Sequence, residues 1–171
     1  MRAVSALCAV SYSRQLQTFL PWEDMGTVIK GSIALWRACF PRARGANVMQ
    51  YDDWENPNGR HTPVLDGDFV HFVGLRALNM CECTQVTDAA FVHLRGIERL
   101  NMSSCMQFTD AAFVHLRGIQ ELDMSCCSQA TITDSGFAHL VGIQRLSIMD
   151  CHQATITDAA LVHPRSIKVL T

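Results

Sequence analysis

The stretch Thr87-Asp88-Ala89-Ala90-Phe91-Val92-His93-Leu94-Arg95-Gly96-Ile97 returns unchanged from Thr109 to Ile119. It returns again, edited, from Thr133 to Ile143 and from Thr157 to Ile167. A weaker first copy runs from Leu65, with Phe69, His71, Gly74 and Leu75 in the matching places. Self-similarity at a fixed period of this size marks a stacked architecture in which each unit buries its core against its neighbours. The period is 22 residues for the first two steps and 24 for the next two. The two extra residues are one insertion used twice, Ala130-Thr131 and Ala154-Thr155, just before the next helix. Its fixed position places it in a loop on one side of the stack.

Each unit reads as a short helix followed by a short strand. Thr87 is suited to cap exposed backbone N–H groups, and Asp88 in the first turn suits the positive end of the helix dipole. Phe91 and Leu94 are three apart and share one inward face. Gly96 ends the helix, where a positive φ is needed. Ile97, Leu100 and Met102 then face the core, while Arg99, Asn101 and Ser103 face away. In the last copy Pro164 and Ser166 replace Leu and Gly, which predicts a shortened or kinked helix. The sequence ends inside the final strand, as a degenerate end cap or a fragment would.

The series Ile97-x-x-Leu100-x-Met102-x-x-Cys105 resembles the cysteine-containing subtype of leucine-rich repeat. It recurs as Leu75, Leu78, Met80, Cys83; as Ile119, Leu122, Met124, Cys127; and as Ile143, Leu146, Ile148, Cys151. The resemblance covers residues 65–171, about 4.5 units. It implies an α/β fold: a right-handed leucine-rich-repeat solenoid with a parallel sheet on the concave face and short helices on the convex face. It also implies that the cysteine is a buried polar group bonded to loop backbone.

With 49% hydrophobic and 18% charged residues in 171, the chain can bury a core. A formal charge of −2 gives no electrostatic case for nucleic acid or an anionic membrane surface, and no apolar run reaches the roughly 20 residues a bilayer span needs. Eight cysteines would permit a secreted disulfide framework. Cys83, Cys105, Cys127 and Cys151 fall at the repeat period, however. One buried structural role covers all four and favours a reducing compartment, cytoplasmic or nuclear. His71, His93, His115, His139 and His163 form a column that could hold a metal, but duplication alone accounts for it. Asp88, Asp110, Asp134 and Asp158 read as first-turn helix residues. No catalytic order, phosphate loop or metal-protease motif is present, so no enzyme activity and no cofactor or metal are expected.

The rigid outward strand positions are where a protein partner would bind. These are Asn79, Arg99, Asn101, Glu121, Asp123, Arg145, Ser147 and Met149. Arg99, Glu121 and Arg145 form a column with steps of about 5 Å, close enough to pair with itself.

Residues 18–40 read as helix, opened by Leu20-Pro21-Trp22-Glu23 and carried by Met25, Val28, Ile29, Ile33, Trp36, Cys39 and Phe40. This order is faintly similar to an F-box. That resemblance implies a substrate receptor of a cullin-based (SCF-type) ubiquitin ligase, with the Skp adaptor held by Leu20, Pro21, Trp22, Ile29 and Trp36. The other reading is a helical cap over the first repeat. Residues 41–64 read as a linker or irregular loop, with Trp54 free to pack on the first repeat. Residues 1–17 form a tail; residues 1–22 read as a frayed terminus or a weak targeting peptide. Three functions stay open: an F-box-type receptor, a plain repeat scaffold, and a secreted repeat protein.

Overall fold

The computed structural model describes residues 29, 31–48, 63–162, 164 and 167–170. Among these, helix α1 (Ile33–Cys39) comes first, followed by strand β1 (Gly45–Asn47). A 3₁₀ helix (Asp66–Phe72) then leads to β2 (Ala77–Asn79). The next units pair α2 (Asp88–Phe91) with β3 (Arg99–Asn101), α3 (Asp110–Phe113) with β4 (Glu121–Asp123), and α4 (Asp134–Phe137) with β5 (Arg145–Ser147). A last 3₁₀ turn (Asp158–Val162) precedes β6 (Val169–Leu170). The six strands form one parallel sheet in chain order. The chain is therefore an α/β solenoid of the leucine-rich-repeat kind. No helix among the described residues is long and apolar enough to cross a membrane.

The strand register follows the repeat: Leu78, Leu100, Leu122, Leu146 and Leu170 stand opposite one another. The inward series is dry, with Ile97, Leu100 and Met102 at most 1% exposed. Burying a side chain of this size is worth about 1.5–3 kcal/mol, so this column carries much of the stack. Rings bridge the units on the helix side: Phe91–Phe108, Phe108–Phe113 and Phe113–Phe137 have centroids 5.7, 6.2 and 5.9 Å apart. Gly74, Gly96, Gly118 and Gly142 close their turns at φ values of 82 to 92°, as expected of a glycine stop. The Ala-Thr insertions lie in turns, and they are stapled down. Thr131 donates its hydroxyl to Phe108 O at 3.1 Å, and Thr155 donates to Ile132 O at 2.6 Å.

Thr87, Thr109, Thr133 and Thr157 are helix caps; their hydroxyl oxygens accept from the backbone N–H two residues on at 3.2–3.4 Å. The aspartates stand in the first helical turn, as expected, and also reach beyond their own unit. Asp110 accepts from the backbone N–H and the hydroxyl of Thr133, one repeat later, at 2.8 and 2.6 Å. Asp66, Asp88 and Asp134 make the same pair of bonds to Thr87, Thr109 and Thr157. Each aspartate thus orders the cap of the following unit, beyond any effect on its own helix. Asp110→Ala leaves two donors of Thr133 without acceptors and is expected to cost about 1–2 kcal/mol. The drop in its urea midpoint should exceed that of Asp68→Ala, which loses a single bond inside its own unit, from the Leu65 N–H. The Thr157 N–H and hydroxyl also hold the Asp134 carboxyl below its ordinary range. That contribution is complete above the unfolded pKa and fades as pH falls through the lower folded value.

The amino-terminal part departs from expectation in two ways. Within the described residues the helix spans only Ile33–Cys39, because Gly31 takes φ 112° and Ser32 caps the first turn through Leu35 N–H. Ile29 instead donates its N–H to Asn47 O at 2.8 Å. Second, the sheet begins inside the segment read as a loop: Gly45, Ala46 and Asn47 pair with Ala77, Leu78 and Asn79. Trp36 closes this end, 5% exposed, with its ring edge-on to Phe72 at 6.2 Å. Leu20, Pro21, Trp22, Trp54, Cys8, His163 and Ser166 lie outside the described residues, as does the 1–17 tail.

Candidate functional site

Seven of the eight outward residues expected to meet a partner lie on strands β2 to β5, and Met149 lies in the turn after β5. Strand alternation puts Arg99, Glu121 and Arg145 in one row and Asn79, Asn101, Asp123 and Ser147 in another. In the first row Glu121 serves both neighbours. Arg99 Nε reaches Glu121 Oε2 at 3.1 Å, and an Arg145 Nη reaches Oε1 at 3.4 Å. Glu121 offsets one of the two positive charges in the column, and the Arg99 end is buried at 8% exposure.

The second row is spent on ending the strands. Asn79 Oδ1 accepts from the Cys81 N–H at 3.1 Å; Asn101 Oδ1 accepts from the Ser103 N–H and hydroxyl at 3.0 and 2.8 Å. Asp123 Oδ1 takes the Ser125 N–H and hydroxyl at 3.0 and 2.6 Å. A short polar side chain that accepts from the backbone two residues on is an Asx turn, which bends the chain out of the sheet. The residues just beyond, Glu82, Ser104, Cys126 and Asp150, all take left-handed φ of 56–62°. Asn79 is 2% exposed, so it is a structural turn residue and presents nothing to a partner. Asn101, Glu121, Asp123 and Ser147 are half-buried. Arg145 and Met149 are exposed, Met149 at 55%, and form the accessible part of the face.

The cysteines form an internal ladder. Cys83, Cys105 and Cys127 are fully buried, and with Cys151 they donate to Val48 O, Met80 O, Met102 O and Met124 O at 3.5, 3.2, 3.3 and 3.2 Å. Every acceptor belongs to the preceding unit. Burial pushes the Cys83 and Cys127 thiols up to about 12, so they stay protonated donors and poor nucleophiles. No cysteine among the described residues is in a disulfide. His71, His93, His115 and His139 sit half-buried at the edge of the helix face. No group of three or more potential metal ligands forms among the described residues.

Two of the residues expected to hold an adaptor can be located. Trp36 faces the core and Ile29 runs along the β1 edge, so neither side chain belongs to a free helix surface. Sequence reasoning missed the inward column Val86, Phe108, Ile132 and Ile156, just before each capping threonine. Its signal was the repeat period itself.

No protein-family model matches the sequence, and no curated protein matches it. Similar solved structures include one in a crystal structure of the Rad7 and Elc1 complex in yeast, at 14% identity and TM-score 0.43, covering 63% of this chain and 39% of the other. Another is from a TLR13–ssRNA13 complex, at 14% identity and TM-score 0.49, covering 79% of this chain and 22% of that one. A third is from the Toll–Spatzle complex of Drosophila, at 10% identity and TM-score 0.45, covering 79% and 24%. The chain spans less than half the length of each.

Proposed function

We propose that the chain is a non-catalytic scaffold for protein–protein interaction, working in a reducing compartment, cytoplasmic or nuclear. The observation that carries this reading is where the chemistry-bearing residues go. The cysteine and aspartate columns are consumed in joining one repeat to the next, and the asparagines in ending the strands of their own units. What is left is a rigid sheet face whose outer end, Arg145 and Met149, is open. A sheet whose backbone is already ordered spares a partner the cost of ordering it, which suits recognition.

Affinity chromatography of a lysate over the full chain tests this. Arg145→Glu with Met149→Asp should lose at least one saturable, stoichiometric partner while keeping the wild-type melting temperature. Retention of an identical set of proteins by the double variant overturns the open-face reading.

The narrower reading, a substrate receptor of an SCF-type ligase, needs residues 18–40 to hold the Skp adaptor. The burial of Trp36 against Phe72 weighs against it and favours a cap. A pull-down with purified Skp adaptor separates the two readings. The cap reading expects no binding by the folded chain, and stoichiometric binding would restore the ligase reading.

A further inference from the structure

We infer that the cleft on the helix side between the α2 and α3 units binds a phosphorylated segment of a partner protein. Arg95, Gly96, Val114, His115 and Arg117 line a cleft of about 400 Å³. Arg95 and Arg117 hold the same place in consecutive repeats, each just before its glycine. Both line the same cleft, so two like charges share one part of the surface. Neither guanidinium has an ion pair or hydrogen bond among the described residues.

Elsewhere on the solenoid the pattern is opposite. Arg76 pairs with Glu98, and Arg99 and Arg145 share Glu121. No acidic residue lines the cleft, and the first-turn aspartates of these two units, Asp88 and Asp110, bond to Thr109 and Thr133. The helix-side pair is a positive site left without its own counter-charge.

A phosphoryl group matches it. Guanidinium forks hold phosphate oxygens by paired N–H donors, and the His115 ring adds a donor in the same cleft. Gly96 has open space where a Cβ would stand, which leaves the floor accessible to a bulky tetrahedral group. Val114 lines the cleft at 42% exposure; Val92 holds the same place in the preceding unit, and Val73 and Val141 hold the arginine's place in the flanking units, all exposed. Such a rim favours a peptide whose apolar side chains flank the phosphate. A single-stranded nucleic acid would want a longer basic track and stacking rings. This inference rests on the scaffold reading but uses the opposite face of the solenoid.

The test is fluorescence anisotropy on the full chain with a library of labelled heptapeptides, each with central phosphoserine between Leu, Ile or Val residues. Its unphosphorylated twin and an eight-nucleotide oligouridine serve as comparisons. The phosphorylated library should bind at least tenfold tighter than its twin. Arg95→Gln with Arg117→Gln should weaken it at least tenfold at an unchanged melting temperature, and Arg42→Gln should leave it unaffected. Equal binding of the twin, or full binding by the double variant, overturns the proposal. Tighter binding of the oligouridine overturns the partner class. The Arg145→Glu, Met149→Asp variant should bind the phosphopeptides as wild type does. Failure here is thereby separable from failure of the open-face reading.

Discussion

Phe113→Ala is expected to lower the unfolding free energy by about 3–5 kcal/mol, a large part of the stability of a chain this size. The ring is 0% exposed and lies between two units, stacked at 26° on Phe137 and edge-on to Phe108. Truncation removes apolar contact and leaves a cavity that parallel strands on the far side cannot close. A solenoid adds a second consequence. Its stability is close to a sum of unit and nearest-neighbour terms, so a weakened junction near the middle uncouples the two ends. Urea unfolding should therefore show a lower midpoint and also a shallower or biphasic transition. The adjacent Val114→Ala is the control: Val114 is 42% exposed, and a change within about 0.5 kcal/mol is expected. A Phe113→Ala midpoint close to that of Val114→Ala would remove the aromatic junction from the account of stability.

Much of this was legible in the sequence because the rules involved are local or strictly periodic. Leu100, Met102 and Cys105 could be assigned inward from strand alternation, and Gly96 from its place after a helical face. The sheet register followed from the repeat alone. What escaped was non-local. Asp88 fits a first-turn role by helix rules, and nothing local says that its carboxylate reaches Thr109 in the next unit. β1 was missed because Ala43, Ala46 and Val48 are small substitutes for the larger apolar residues of later units. It also stands 32 residues before β2 in the pairing of Gly45 with Ala77. On the open face, the row Arg99, Glu121, Arg145 was read correctly as a row. Exposure is a property of the surroundings, however, and alternation could not say that Arg99 and Asn79 are buried while Arg145 is open.

The cysteine ladder makes the second large effect one of pH. Stability should be level through neutral pH and collapse above about pH 9. In the unfolded chain each thiol titrates near its ordinary value of 9.0, whereas in the fold burial raises Cys83 and Cys127 to about 12 and drives Cys105 up as well. The folded state therefore holds protons that the unfolded state releases. Stability is fully present below the unfolded pKa and is lost as pH rises toward the folded one. Each thiol contributes a slope of about 1.4 kcal/mol per pH unit in that window. Three fully buried thiols together give about 4 kcal/mol per unit, enough to unfold a domain of ordinary stability by about pH 11. Urea midpoints measured from pH 7 to 11 check this. Cys105→Ser keeps a donor for Met80 O but does not titrate in this range, so it should reduce the slope by about a third while costing some stability at pH 7. An unchanged slope in that variant would mean that the alkaline loss comes from groups other than the ladder. A reduced slope would show that the Cys105 thiol must carry its proton for the fold to persist at alkaline pH.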